Sequence, residues 1–138
     1  MKVINAKNKI LGRLCTEISS ALLREQDKII VVNANDAIIT GQKDNIMERF
    51  QERTHRRGKG NPSKNAKYPR YPDKMVKFAV RGMLPRNARG TAALKKLKVF
   101  IDAPEEYQKD LPKAVEVPKV KGMKLNEICK LLGAKLKI

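Results

Sequence analysis

The sequence has no tryptophan, one histidine and three each of tyrosine and phenylalanine among 138 residues. A substrate pocket walled by large aromatic rings is therefore not expected. The single histidine, His55, stands among arginines, and no cysteine or carboxylate cluster surrounds it. The two cysteines, Cys15 and Cys129, lie far apart, with neither zinc-ligand spacing nor a disulfide framework. Each falls on the apolar stripe of a predicted helix, so both are expected to be buried, reduced thiols, which fits an intracellular chain. No apolar run approaches the ~18 residues that span a bilayer. The first residues, MKVINAKNK, are followed by no apolar stretch of the signal-peptide kind.

Nucleotide and nucleophile signatures are missing too. Gly58-Lys59-Gly60 is followed by Ser63 where a dinucleotide fingerprint has its third glycine, and no strand precedes it. Neither GxxxxGK[ST] nor GxSxG occurs. Glu48 and Glu52 lie one helical turn apart among Arg49, Arg53 and Arg56, an arrangement of surface ion pairs rather than a catalytic dyad. No catalytic residue, metal ligand, cofactor or small-molecule substrate is assigned.

Acid is scarce as well: 14 Asp and Glu face 31 Lys and Arg, a net charge of +17. The excess is concentrated. Residues 53–90 carry twelve basic side chains and one acid, Asp73, which is +11 of the +17. The basic residues are Arg53, Arg56, Arg57, Lys59, Lys64, Lys67, Arg70, Lys74, Lys77, Arg81, Arg86 and Arg89. Gly58 and Gly60 are interleaved with them and let backbone approach backbone. Tyr68 and Tyr71 offer rings that stack on bases or riboses. A membrane-surface helix would set apolar residues opposite such charge, and residues 53–72 have almost none. The partner is therefore expected to be nucleic acid. RNA is favoured, because no helix-turn-helix, zinc-finger or basic-zipper pattern is present.

Leu, Ile, Val and Phe make up about a quarter of the chain, enough for a real core in one domain over residues 1–138. Residues 2–6 read as a strand. Leu11, Leu14, Cys15, Ile18 and Leu22 recur at helical spacing over 10–25, with Asn8 as a candidate cap. Residues 28–34, KIIVVNA, suit a strand covered on both faces, which completes a βαβ unit. Residues 36–40 lead to a turn at Gly41, and 42–53 form a helix with Ile46, Met47 and Phe50 inward.

Periodicity then stops over 54–72, predicting an extended basic arm that cannot offset its own ordering entropy and orders on a polyanion. Asp73 is expected to cap a helix with Val76, Ala79, Val80 and Met83 on its core side and Lys74, Lys77 and Arg81 on the other, closed by Gly82 and Pro85. Asn87 caps the next helix, and 99–102 read as a strand. Residues 103–121 read as surface loop with one helical turn at 105–108. A final helix spans 124–132, with Gly133 at its end. The order of elements describes a small α/β domain with helices on both faces of a mostly parallel sheet.

At Val80-Arg81-Gly82-Met83-Leu84-Pro85, then Gly90 and Leu97-x-Val99-Phe100-x-Asp102, the sequence resembles the ribosomal protein L-thirteen (uL-thirteen) family of the large ribosomal subunit. Gly12-Arg13-Leu14, Val32-Asn33-Ala34, Thr40-Gly41 and Pro72-Asp73 match further blocks in the same order, so the resemblance covers residues 1–102. Thr91 stands where the family has a longer polar or charged residue, and the chain after Asp102 lacks the Gly and His of the bacterial form. The short chain and the Arg56-Arg57-Gly58 arm are similar to the archaeal branch, leaving 103–138 as a C-terminal extension. The resemblance implies a three-layer α/β/α fold with a four-stranded parallel sheet. It implies binding to large-subunit ribosomal RNA, support of subunit assembly, contact with neighbouring ribosomal proteins in the cytoplasm, and no catalysis. It carries Arg13, Arg57, Lys74, Arg81, Arg86 and Arg89 as phosphate contacts, and Gly58, Gly82 and Gly90 as backbone-permissive positions. The same basic surface also fits a translational regulator that binds an mRNA.

Overall fold

Four consecutive β-branched residues make the centre of the fold. The strand β2 (Ile29–Val32) is buried along its whole length, as a strand covered on both faces must be. β1 (Lys2–Asn5) pairs with it on one side, with Ile4 opposite Val31, and β4 (Leu97–Val99) on the other, with Ile29 opposite Leu97 and Val31 opposite Val99. All three run parallel. Ile4, Ile29, Val31, Leu97 and Val99 thus share one face and join the main core. The structure, a computed structural model, describes residues 1–24, 27–56, 58, 60–65, 67–108, 111–116 and 119–134.

The core face is covered by helices. In α1 (Leu11–Arg24) the predicted stripe is buried at Leu14, Cys15, Ile18 and Leu22, with Leu11 half-buried at its start. α3 (Pro72–Met83) packs across α1 through Met75, Val76 and Val80, and α4 (Ala88–Lys95) packs on both. The opposite face presents Ile30 and Val32, also buried. The extension crosses toward this side: α5 (Glu105–Gln108) brings Tyr107 within 5.8 Å of the Phe100 ring. Asn5 Nδ2 then donates to the Pro112 carbonyl at 3.1 Å, and Asn8 Nδ2 to that of Val115 at 3.2 Å.

The expected four-stranded sheet has three parallel strands among the described residues; the strand after β2 leaves it. Asn33 adopts a left-handed backbone (φ 59°) and opens a single 3₁₀ turn, Ala34–Asp36. Asn tolerates that conformation better than most residues, and its side chain donates to Asn5 Oδ1 at 3.0 Å. The turn redirects the chain, so β3 (Ile38–Thr40) pairs antiparallel with β5 (Gly122–Lys124), a strand not expected between the loop ending at 121 and the helix expected from 124. A single bridge between Ile10 and Ile38 links this ribbon to the chain that follows β1. A Cβ at Gly122 would stand 2.6 Å from the Ile39 carbonyl oxygen, so the tight pairing requires glycine there.

Four smaller expectations are also corrected. Asn8 does not cap α1; it is itself left-handed (φ 61°). Asp73 is not the cap of α3, because Tyr71 precedes Pro72 at the first helical position, where proline's missing N–H costs nothing, and Asp73 sits in the first turn. Gly82 does not end that helix, which continues through Met83 to a cap at Leu84. Strand β4 spans Leu97–Val99 instead of 99–102, because Leu97 and Val99 alternate inward around exposed Lys98.

α2 (Lys43–His55) places Ile46 in the core with Met47 and Phe50 against it. α6 (Leu125–Leu131) buries Leu125, Ile128 and Cys129. It ends as predicted at Gly133, whose φ of 77° allows the Gly133 and Ala134 amides to donate back to the Lys130 and Cys129 carbonyls.

Both cysteines are free and buried. Burial pushes the Cys15 thiol up to about 11. Burial, helped by the Asp73 carboxylate, pushes Cys129 up to about 12. Protonated thiols favoured by folding stabilise below the ordinary value of 9, and that contribution is lost as pH rises through 11 to 12. Since the thiolate is the reacting form, the folded chain should give no colour with a disulfide reagent at pH 8, and two thiols after denaturation. Rapid labelling of the folded chain would contradict the burial.

Candidate nucleic-acid interface

The basic stretch divides at Pro72. From there on its charges stand on ordered elements. The apolar side of α3 is fixed in the core by Met75, Val76 and Val80, and this determines where its other side points. Lys74 and Arg81 are exposed and Lys77 is half-buried. Met83, expected on the core side, is 45% exposed. Leu84 and Pro85 break the chain. Asn87 Oδ1 then accepts from the Gly90 amide at 3.0 Å and starts α4 as predicted.

Gly90 is where a backbone position demands glycine, since a Cβ there would overlap the Pro85 carbonyl oxygen. Arg81 lies in the last turn of α3, and Arg86 in the turn between Pro85 and α4. Both line a groove of about 690 Å³ between α3 and α4, together with Phe78, Gly82 and Leu94. Arg89 is used differently: its guanidinium donates to the Leu23 carbonyl at 3.1 Å, tying α4 to the last turn of α1, where a cation is favoured. Arg13 is exposed on α1, next to Gly12.

Upstream of Pro72 the described part of the arm has more local order than its sequence predicts. Residues Pro62–Lys64 form a 3₁₀ turn. Asn61 Oδ1 accepts from the Ser63 amide at 3.0 Å, and Asn65 Nδ2 donates to the Arg56 carbonyl. Tyr68 is half-buried, its ring 5.1 Å from that of Phe78, with the Arg53 guanidinium 5.4 Å above it. Its stacking surface thus serves the chain's own packing. Tyr71 is exposed, and the Lys74 ammonium lies 5.4 Å over its ring. Lys64, Lys67 and Arg70 are exposed. Arg57 and Lys59 lie outside the described residues.

Gly58, Gly60 and Gly82 are not required by the fold. None has a positive φ, and a Cβ would meet ordinary contact at Gly58 and open space at Gly60 and Gly82.

Among the described residues, the one ion pair that involves residues 53–90 is Arg56 to Glu52, 3.0 Å across one turn of exposed helix. Arg81 and Arg86 have none. His55 is exposed, its Nδ1 2.8 Å from the Gln51 carbonyl oxygen. The described residues hold no group of three His, Cys, Asp or Glu placed to bind a metal. No described helix is long and apolar enough to cross a membrane. Sequence reasoning missed Phe78. It sits between the apolar and basic stripes, four residues after Lys74 and three before Arg81, and a large apolar side chain at such a boundary is the signal that would have found it.

The family described as Ribosomal protein L13 matches residues 1–106. "Large ribosomal subunit protein uL13" of Methanococcus maripaludis is 37% identical over 137 residues, 98% of this chain and 99% of that one. The protein of that name from Methanosphaera stadtmanae is 40% identical over 139 residues, covering 96% and 97%. That from Archaeoglobus fulgidus is 44% identical over 107 residues, 77% of this chain and 66% of that one.

Proposed function

The chain belongs to the ribosomal protein L13 family, and from that premise we propose how it serves as a structural, non-enzymatic constituent of the large ribosomal subunit. Its ordered basic face holds ribosomal RNA. Lys74, Lys77, Arg81 and Arg86 are the primary phosphate contacts. The observation that carries this reading is the α3–α4 groove, which Arg81 and Arg86 both line with no described acid paired to either. Guanidinium suits phosphate because its planar fork of donors matches two oxygens. Arg13 and the arm residues Arg53, Arg56, Arg57, Lys59, Lys64, Lys67 and Arg70 add contacts along the same RNA. Tyr68 anchors the arm to α3, and Tyr71 is free to stack. Gly58, Gly60 and Gly82 give room for the RNA backbone. Residues 103–108 and 111–116 act as the third layer of the fold, and the exposed Val115, Val120 and Leu131 meet neighbouring ribosomal proteins.

Neutralised phosphates release counterions, so log K falls by roughly 0.7 to 0.9 per contact for each decade of salt. Four contacts on the ordered face alone give a slope near −3 by the same rule. Titrating the isolated chain with large-subunit ribosomal RNA at several salt concentrations measures it. Binding that does not respond to salt would rule this mechanism out.

A further inference from the structure

The geometry points to the α3–α4 groove as a seat for one unstacked RNA base, laid on the open side of Phe78 with its flanking phosphates on Arg81 and Arg86. This rests on the RNA-binding reading and deepens it. Phosphate recognition alone does not account for the groove, because its wall and floor are apolar: Phe78, Leu84, Pro85 and Leu94. Phe78 is 45% exposed on a helix whose neighbouring positions bury Met75, Val76 and Val80. Its ring is held on one side. Tyr68 packs against it at 5.1 Å, tilted by 56°, and Arg53 lies over Tyr68 at 5.4 Å. The far side opens into the groove. A base placed there joins a cluster of Arg53, Tyr68 and Phe78, on a ring already held by its tilted contact with Tyr68, so less ordering cost remains on the protein side.

Gly82 keeps that side open. It lies one turn after Phe78, where a side chain would fall over the ring, and it faces empty space. The groove's volume, about 690 Å³, is that of a small-ligand site. Its charge selects an anionic ligand, and its aromatic wall selects one that also carries a flat ring. A nucleotide within a strand satisfies both. The apolar side chain of another protein would satisfy the wall and leave two guanidinium groups without a partner.

The test compares binding of the full chain to a uridine decamer and to a sugar–phosphate decamer of the same length without bases. Stacking of one base on an aromatic ring is worth about a tenfold change in affinity, so the wild type should prefer the uridine decamer by roughly tenfold. Phe78→Leu should lower that ratio severalfold, to what stacking on Tyr71 leaves, while leaving the salt slope unchanged. Phe78→Tyr should keep the ratio. Gly82→Leu, which places a good helix former in open space and so should fold, should also lower the ratio by covering the ring. A ratio unmoved by Phe78→Leu and Gly82→Leu overturns the base seat and assigns the groove to a protein side chain. Failure to bind either decamer or ribosomal RNA overturns the RNA-binding reading itself.

Discussion

Gly90→Ala should unfold this protein roughly 10 °C below the wild type, a loss near 3 kcal/mol for a chain of this size. One methyl group is added, but it has nowhere to go. It would overlap the Pro85 carbonyl oxygen, which is backbone and not the movable end of a side chain. Relief requires α4 to slide away from Pro85. That motion breaks the Asn87 cap on the Gly90 amide and pulls on the Arg89 bond to Leu23. Core packing does not absorb such shifts, because interiors are close to crystal density. Gly82→Ala is the control. It adds the same methyl to a neighbouring helix, in open space and without a positive φ, and should stabilise by roughly 0.5 to 1 kcal/mol through helix propensity. Thermal unfolding of the two variants side by side separates a steric demand from a general intolerance of change. Equal melting temperatures would mean that α4 can yield at Pro85.

The contrast between these two glycines shows what a sequence displays and what it hides. Gly82 and Gly90 read alike in a single chain, since each lies near a helix boundary in a basic stretch. Only the distance to Pro85 tells them apart, and no local pattern encodes it. The same limit explains β3 and β5. Residues 36–40 read only as a lead into the turn at Gly41, because the partner of Ile38 and Ile39 is more than 80 residues away in a stretch of only three residues, Gly122–Lys124. A single residue, Asn33, turns the chain out of the parallel sheet. By contrast, periodic elements were legible. The stripes of α1 and α6 are buried as their spacing predicts, because amphipathic helices carry their packing face in their own order of residues. The basic character of the site was equally plain from charge. Its division into an ordered face and an arm tethered by Tyr68 needed the position of Phe78, which periodicity assigned to neither stripe.

That division yields the second large effect. Arg81→Ala should weaken binding to large-subunit ribosomal RNA by roughly 10- to 100-fold, the usual worth of a charge-assisted hydrogen bond at a fixed site. Lys64→Ala should cost no more than about threefold, in the range of an exposed ion pair. Each removes one positive charge from the same 38-residue stretch. Arg81 stands on a helix whose opposite side is locked by Val76 and Val80, and lines one groove with Arg86. Its guanidinium meets phosphate with little further loss of freedom. Lys64 ends an isolated 3₁₀ turn and is exposed. A flexible ammonium there loses rotamer freedom on binding, which offsets most of what its phosphate contact gains. Affinities measured at one fixed salt concentration decide the matter. The slope against salt should fall by roughly the same 0.7 to 0.9 in both variants, since each releases one counterion fewer. Equal slopes with unequal affinities identify Arg81 as a positioned contact. Equal affinities would make the whole stretch a uniform reservoir of charge, and the order built into α3 and α4 would then serve the fold alone.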